Sequence, residues 1–122
     1  IAVKVDANSC NELQSGFDQI DGVIFDSGWY VNFDNPNIFF GGSRPKIPNR
    51  LIELCLAMNI KFFGCDLPSV DESGSENKEN HHSFLDNEII IYEALNNLDK
   101  LKILEPFQFY GFPLAFKNLD GS

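Results

Sequence analysis

The chain has 122 residues, the size of one domain. Hydrophobic residues make up 43% of it, twelve of them Phe, which is enough to fill a core and excludes global disorder. The formal net charge of −9 argues against nucleic acid or an anionic membrane as partner, because no basic patch is available to neutralise phosphate.

In chain order, residues 1–5 alternate Ile, Val and Val on one face and read as a strand. Residues 11–20 place Leu13, Phe17 and Ile20 at helical spacing, predicting a short amphipathic helix. Gly22-Val23-Ile24-Phe25 is a continuous apolar run of the kind found in buried parallel sheets, and it enters the loop Asp26-Ser27-Gly28-Trp29. Residues 30–44 are rich in Asn, Gly and aromatics without a period, and read as an irregular loop. Pro48 is placed for a first helical turn, and Leu51, Ile52, Leu54, Cys55 and Met58 supply the apolar face of a helix ending near Asn59. A third strand is predicted over residues 60–65. A polar loop over residues 72–80 then delivers the chain to His81-His82. Residues 88–93, with three consecutive Ile and a Tyr, favour a strand. A helical turn over residues 94–101 and a last strand over residues 107–112 complete the expectation. This alternation is that of an α/β domain with a mostly parallel sheet and flanking helices, spanning residues 1–122.

No apolar run approaches the roughly 20 residues needed to cross a bilayer, and the N-terminus does not read as a signal peptide. Cys10, Cys55 and Cys65 are widely spaced with no Cys-x-x-Cys pair. They read as reduced thiols, with a cytoplasmic location as the inference. The chain opens on Ile1, already strand-like, and closes on the turn signal Asp120-Gly121-Ser122, so both ends read as cut.

In an open α/β sheet, ligands gather at the C-terminal ends of strands. Three such ends carry reactive residues: Ser27-Gly28-Trp29, Asp66 through Asp71, and Glu93. The only two histidines lie between the last two. Imidazole and carboxylate together suit zinc, manganese or iron, and a loop-borne His and a strand-end Glu can converge on one ion. The bland readings stand beside this one. Adjacent histidines in an acidic stretch are commonly a solvated pair, Asp66 and Asp71 are common turn formers, and a lone Trp is commonly a core anchor. No Gly-x-Ser-x-Gly elbow, Walker loop or Gly-x-Gly-x-x-Gly competes. Gly41-Gly42-Ser43-Arg44 follows no strand and lacks the lysine of a phosphate loop.

The ordered string Asp21-Gly22-Val23-Ile24-Phe25-Asp26-Ser27-Gly28-Trp29, then Gly64-Cys65-Asp66-Leu67-Pro68-Ser69-Val70-Asp71, then His81-His82, Glu93 and Asn97-Leu98-Asp99, resembles the cyclase family of bacterial kynurenine formamidases and isatin hydrolases. The resemblance covers most of the chain. It implies the C-terminal part of a swivelling β/β/α-type cyclase fold, with His81 and Glu93 as metal ligands. His82, Asp66 and Ser69 would serve catalysis, and Trp29 and Ser27 would lie on the substrate side. It further implies a divalent zinc or manganese ion in a site incomplete in this chain. The family's His-x-Gly-Thr-His-x-Asp motif, which brings the remaining ligands, has no counterpart here, since both histidines are already assigned. The reaction implied is hydrolysis of a small amide or cyclic amide by metal-activated water. A homo-oligomer, or association with the remaining part of the hydrolase, is expected because a fragment lacking neighbouring strands must cover exposed sheet edges or apolar faces. Asp26, Ser27 and Leu67 depart from the family's residues, which widens the substrate beyond formylkynurenine. The alternative is a non-catalytic binding or assembly module that kept the fold and lost the metal site.

Overall fold

The structure, a computed structural model of the chain, describes residues 1–13, 19–115 and 117. Four short strands, β1 (Ala2–Val5), β2 (Gly22–Phe25), β3 (Phe62–Cys65) and β4 (Ile90–Tyr92), form one sheet in the order 1-2-3-4. Every pairing is parallel, with Val3 opposite Val23, Val23 opposite Phe63 and Phe63 opposite Ile91. The expected α/β class and parallel sheet are therefore what the chain adopts. Each parallel step requires a crossover, and among the described residues the crossovers carry three helices: α1 (Pro36–Phe39), α2 (Asn49–Ala57) and α3 (Glu79–Leu85).

Strand alternation sorts the side chains into two faces. Val3, Val5, Val23, Phe25, Phe63 and Cys65 belong to one buried cluster with Leu51, Leu54 and Cys55 of α2 and Phe84 of α3. Phe63 and Phe84 stack with centroids 4.6 Å apart, which fixes α3 against the sheet. On the opposite face Phe62 stacks on Phe109 at 4.7 Å, and Tyr92 meets the same ring edge-on at 5.0 Å. The outer edge of β1 is covered from the C-terminal segment. Ala2 and Phe107 exchange backbone hydrogen bonds of 2.8 and 2.9 Å, and the Leu104 amide donates to the Lys4 carbonyl.

Four expectations are corrected. Residues 30–44 are not wholly irregular, since Trp29–Asn32 forms a 3₁₀ turn and Pro36–Phe39 a short helix opened by its proline. His81 and His82 are not loop-borne but lie within α3, whose first amides are capped from a distant loop. Of residues 94–101, only Leu98–Lys100 is helical, as a 3₁₀ turn. Residues 107–112 form no strand. Phe107 makes one isolated antiparallel bridge with Ala2, after which Phe109 and Gly111 reach Phe62 and Tyr92 on the sheet's second face. The amphipathic helix expected over residues 11–20 falls largely on residues 14–18, outside the described residues; ahead of them Cys10–Glu12 forms a 3₁₀ turn.

Candidate metal centre

The polar side chains collect beyond the C-terminal ends of β2, β3 and β4. Asp66 follows β3 directly and is fully buried. One of its oxygens accepts hydrogen bonds from the Ser27 amide (3.0 Å) and hydroxyl (2.6 Å), and the other from the Tyr30 amide (3.1 Å). The carboxylate thus pins the β2 loop to the β3 loop. Trp29, in the same loop, donates its indole N–H to the Phe39 carbonyl at 2.9 Å and packs on the core. The hydroxyl of Ser27 and the indole N–H of Trp29 are both engaged within the fold. Ser69 accepts the Asp71 amide through its hydroxyl (3.1 Å) and shapes the turn. Asp26 has a partner of its own in the buried Lys4, whose ammonium donates to Asp26 (3.2 Å) and to the Leu98 carbonyl (2.8 Å).

Asp71 ends that loop and organises the next element. Its two oxygens accept the amides of Asn80 (2.8 Å) and His81 (3.0 Å), so it caps the first turn of α3 from eight residues upstream of Glu79. The Asn80 side chain returns a hydrogen bond to the Val70 carbonyl at 2.8 Å, and the Val70 amide donates to Glu93 at 2.9 Å. The β3 loop, the start of α3 and the end of β4 are thereby stitched into one unit.

Asp71 Oδ2 also sits 2.7 Å from His81 Nδ1. Burial raises the Asp71 carboxyl, but hydrogen bonds from the His81 ring and from the Asn80 and His81 amides outweigh it and hold the group below its ordinary value. An ionised carboxylate only accepts, so Nδ1 carries a proton and Nε2 is the ring nitrogen left to face a second partner. Nε2 faces Glu93 Oε2 at 3.5 Å, beyond the range of about 2.7–3.2 Å for N–H···O bonds. A tetrahedral ion with ligands at about 2.1 Å sets its donors about 3.4 Å apart. The nitrogen and oxygen are therefore spaced as two ligands of one cation, and the carboxylate on the far ring nitrogen is the support that metal-binding histidines typically have.

His81 and Glu93 are brought together as the sequence reading expected. His82, the next residue on α3, is exposed; its backbone is paired within the helix, while its ring makes no hydrogen bond or ion pair among the described residues. Asp71 was missed as a site residue, although the motif that singled out Asp66 and Ser69 ends on it. Among the described residues, no three His, Cys, Asp or Glu side chains gather into a metal-holding group. Asp71 and Glu93 lie at opposite nitrogens of the His81 ring and cannot share an ion. No described helix is long and apolar enough to cross a membrane. A scan against protein-family models matches none, and a search of curated proteins returns no match.

Proposed function

We propose that this chain is part of a divalent-metal hydrolase acting on small amides or cyclic amides, with His81 and Glu93 as two of the ligands to zinc or manganese. The observation that carries this reading is the pairing of His81 Nε2 with Glu93 Oε2 at 3.5 Å while Asp71 occupies Nδ1. The resemblance of the motif string to the kynurenine formamidase and isatin hydrolase family supports the same chemistry. When bound, such a cation supplies Lewis acidity toward water and a carbonyl oxygen. Asp71 holds the His81 ring in register and in the Nε2-donor tautomer, and the Val70 amide orients Glu93. Asp66 and Ser69 keep the two loops in place, while the exposed His82 is available to a substrate as a proton carrier. The remaining ligands come from polypeptide outside these 122 residues. The free, buried thiols of Cys10, Cys55 and Cys65 suit a reducing compartment, and we place the protein in the cytoplasm.

Elemental analysis of the intact hydrolase, purified without chelator, tests the proposal. The expected result is stoichiometric zinc or manganese, with amide hydrolysis lost on chelation and restored by the metal. Protein without metal, whose activity or binding ignores chelators, would overturn it in favour of a binding module.

A further inference from the structure

At Val70 and Asp71 each main-chain polar group is held by a side chain. The Val70 amide donates to Glu93, the Val70 carbonyl accepts from Asn80, and the Asp71 amide donates to the Ser69 hydroxyl. The fourth group, the Asp71 carbonyl, accepts from Arg44 Nη2 at 3.1 Å. Of these four side chains, Arg44 alone comes from ahead of β3. Its sequence setting presents it there. Residues 41–43 turn the chain after α1, and Pro45 restricts Arg44 to extended backbone. Two residues on, Lys46 pairs with Glu72 at 2.6 Å, so this segment runs beside the end of the β3 loop.

Arg44 is half-buried and forms no ion pair with other described residues, unlike Lys4, Lys46 and Lys61. Its planar guanidinium instead bridges two main-chain carbonyls, that of Asp71 and that of Phe40 (3.4 Å). Its Nε–H is buried without an acceptor among the described residues. An unpaired buried donor costs free energy, and such exceptions collect where a residue serves a site. We propose that Arg44 is a positioning residue for His81, fixing the Asp71 main chain so that the Asp71 carboxylate stays on Nδ1. With both its amide and its carbonyl held, Asp71 has a fixed direction in which to reach the ring at 2.7 Å. The other end of the bridge lies one residue past Phe39, whose carbonyl accepts the Trp29 indole. Arg44 thereby ties the Trp29 loop to the carboxylate behind the imidazole. The consequence for metal affinity rests on the metal reading above, whereas the effect on the ring does not.

The test uses the 122-residue chain with Arg44→Met, which keeps an apolar stem and removes the donors, and with Arg44→Lys, which keeps the charge. Nitrogen-15 NMR of the zinc-free chain follows how fast the proton on His81 Nδ1 exchanges with water. Exchange about tenfold faster is expected in Arg44→Met, with zinc affinity lower by about tenfold or more in a calorimetric titration. Arg44→Lys, with one donor for the carbonyl, is expected to fall between Arg44→Met and the parent. Should a far-ultraviolet spectrum show Arg44→Met unfolded, a parent-like exchange rate in Arg44→Lys would overturn the proposal. Asp71→Asn separates positioning from general loosening, since Arg44→Met added to it is expected to weaken zinc binding no further. An undiminished loss in that background would overturn the proposal. Parent-like Nδ1 exchange in folded Arg44→Met would overturn it too, and zinc uptake by the parent would then leave the metal reading standing. Faster exchange in a chain that takes up no zinc would support the positioning of the ring and remove the metal reading.

Discussion

Asp71 performs two tasks with one carboxylate, capping α3 and holding the His81 ring, and its replacement separates structure from chemistry. Asp71→Asn keeps the shape but loses the charge that favours the Nδ1–H tautomer. Zinc affinity is expected to fall roughly 10–100-fold, as when a metal-ligating histidine loses its carboxylate support, and a calorimetric titration of the variant checks it. The same carboxyl gives a pH signature. Being held below its ordinary value when folded, it contributes stability above the ordinary carboxylate range. That contribution is lost as pH falls through the lower folded-state value. Acid unfolding of the parent chain is therefore expected to steepen below pH ~4, and the slope should flatten in Asp71→Asn. Burial pushes the Cys55 and Cys65 thiols up to about 12. Their protonated forms favour the fold, so this stability is intact below the ordinary thiol range and drains as pH climbs from there toward about 12. Iodoacetamide at pH ~8 should leave both thiols of the native chain unmodified and label them on denaturation; rapid native labelling would contradict their burial.

At the scale of elements, what was legible followed local pattern and what was hidden followed long-range capping. The apolar runs at residues 22–25 and 60–65 and the apolar face around Leu51, Leu54 and Cys55 announced β2, β3 and α2 because burial on both sheet faces writes itself into composition. Helix α3 was not legible, since Lys78 before it has φ +46° with no side-chain cap, and its first amides are satisfied by Asp71 from the preceding loop. The aromatic alternation of residues 107–112 imitated a strand because Phe109 packs on the sheet face at Phe62. The pairing of His81 with Glu93 was legible from residue type, strand-end position and the resemblance, and not from local pattern, since nothing local says that a helix start and a strand end will meet. Two substitutions test the packing. A Cβ at Gly22 would collide with the Phe62 ring, so Gly22→Ala must displace that ring from its stack on Phe109. The expected cost is about 1–3 kcal/mol by urea denaturation. Asp66→Ala leaves the Ser27 amide, the Ser27 hydroxyl and the Tyr30 amide without their acceptor, and should cost about 3 kcal/mol or more.

For the whole molecule, a four-stranded parallel sheet positions three strand ends, and the β3 loop, the start of α3 and the end of β4 together build a paired His and Glu with a carboxylate behind the imidazole. Two ligands fall short of the three protein ligands of a catalytic zinc, so the 122-residue chain alone is expected to show no measurable turnover of N-formylkynurenine in an absorbance assay. The central claim is that His81 and Glu93 share a cation, and calorimetric titration of zinc into the parent chain, His81→Ala and Glu93→Gln tests it most directly. One zinc per parent chain, with affinity reduced about tenfold or more in each variant, is the predicted result. No uptake by the parent chain, or uptake that both substitutions leave unchanged, would contradict it.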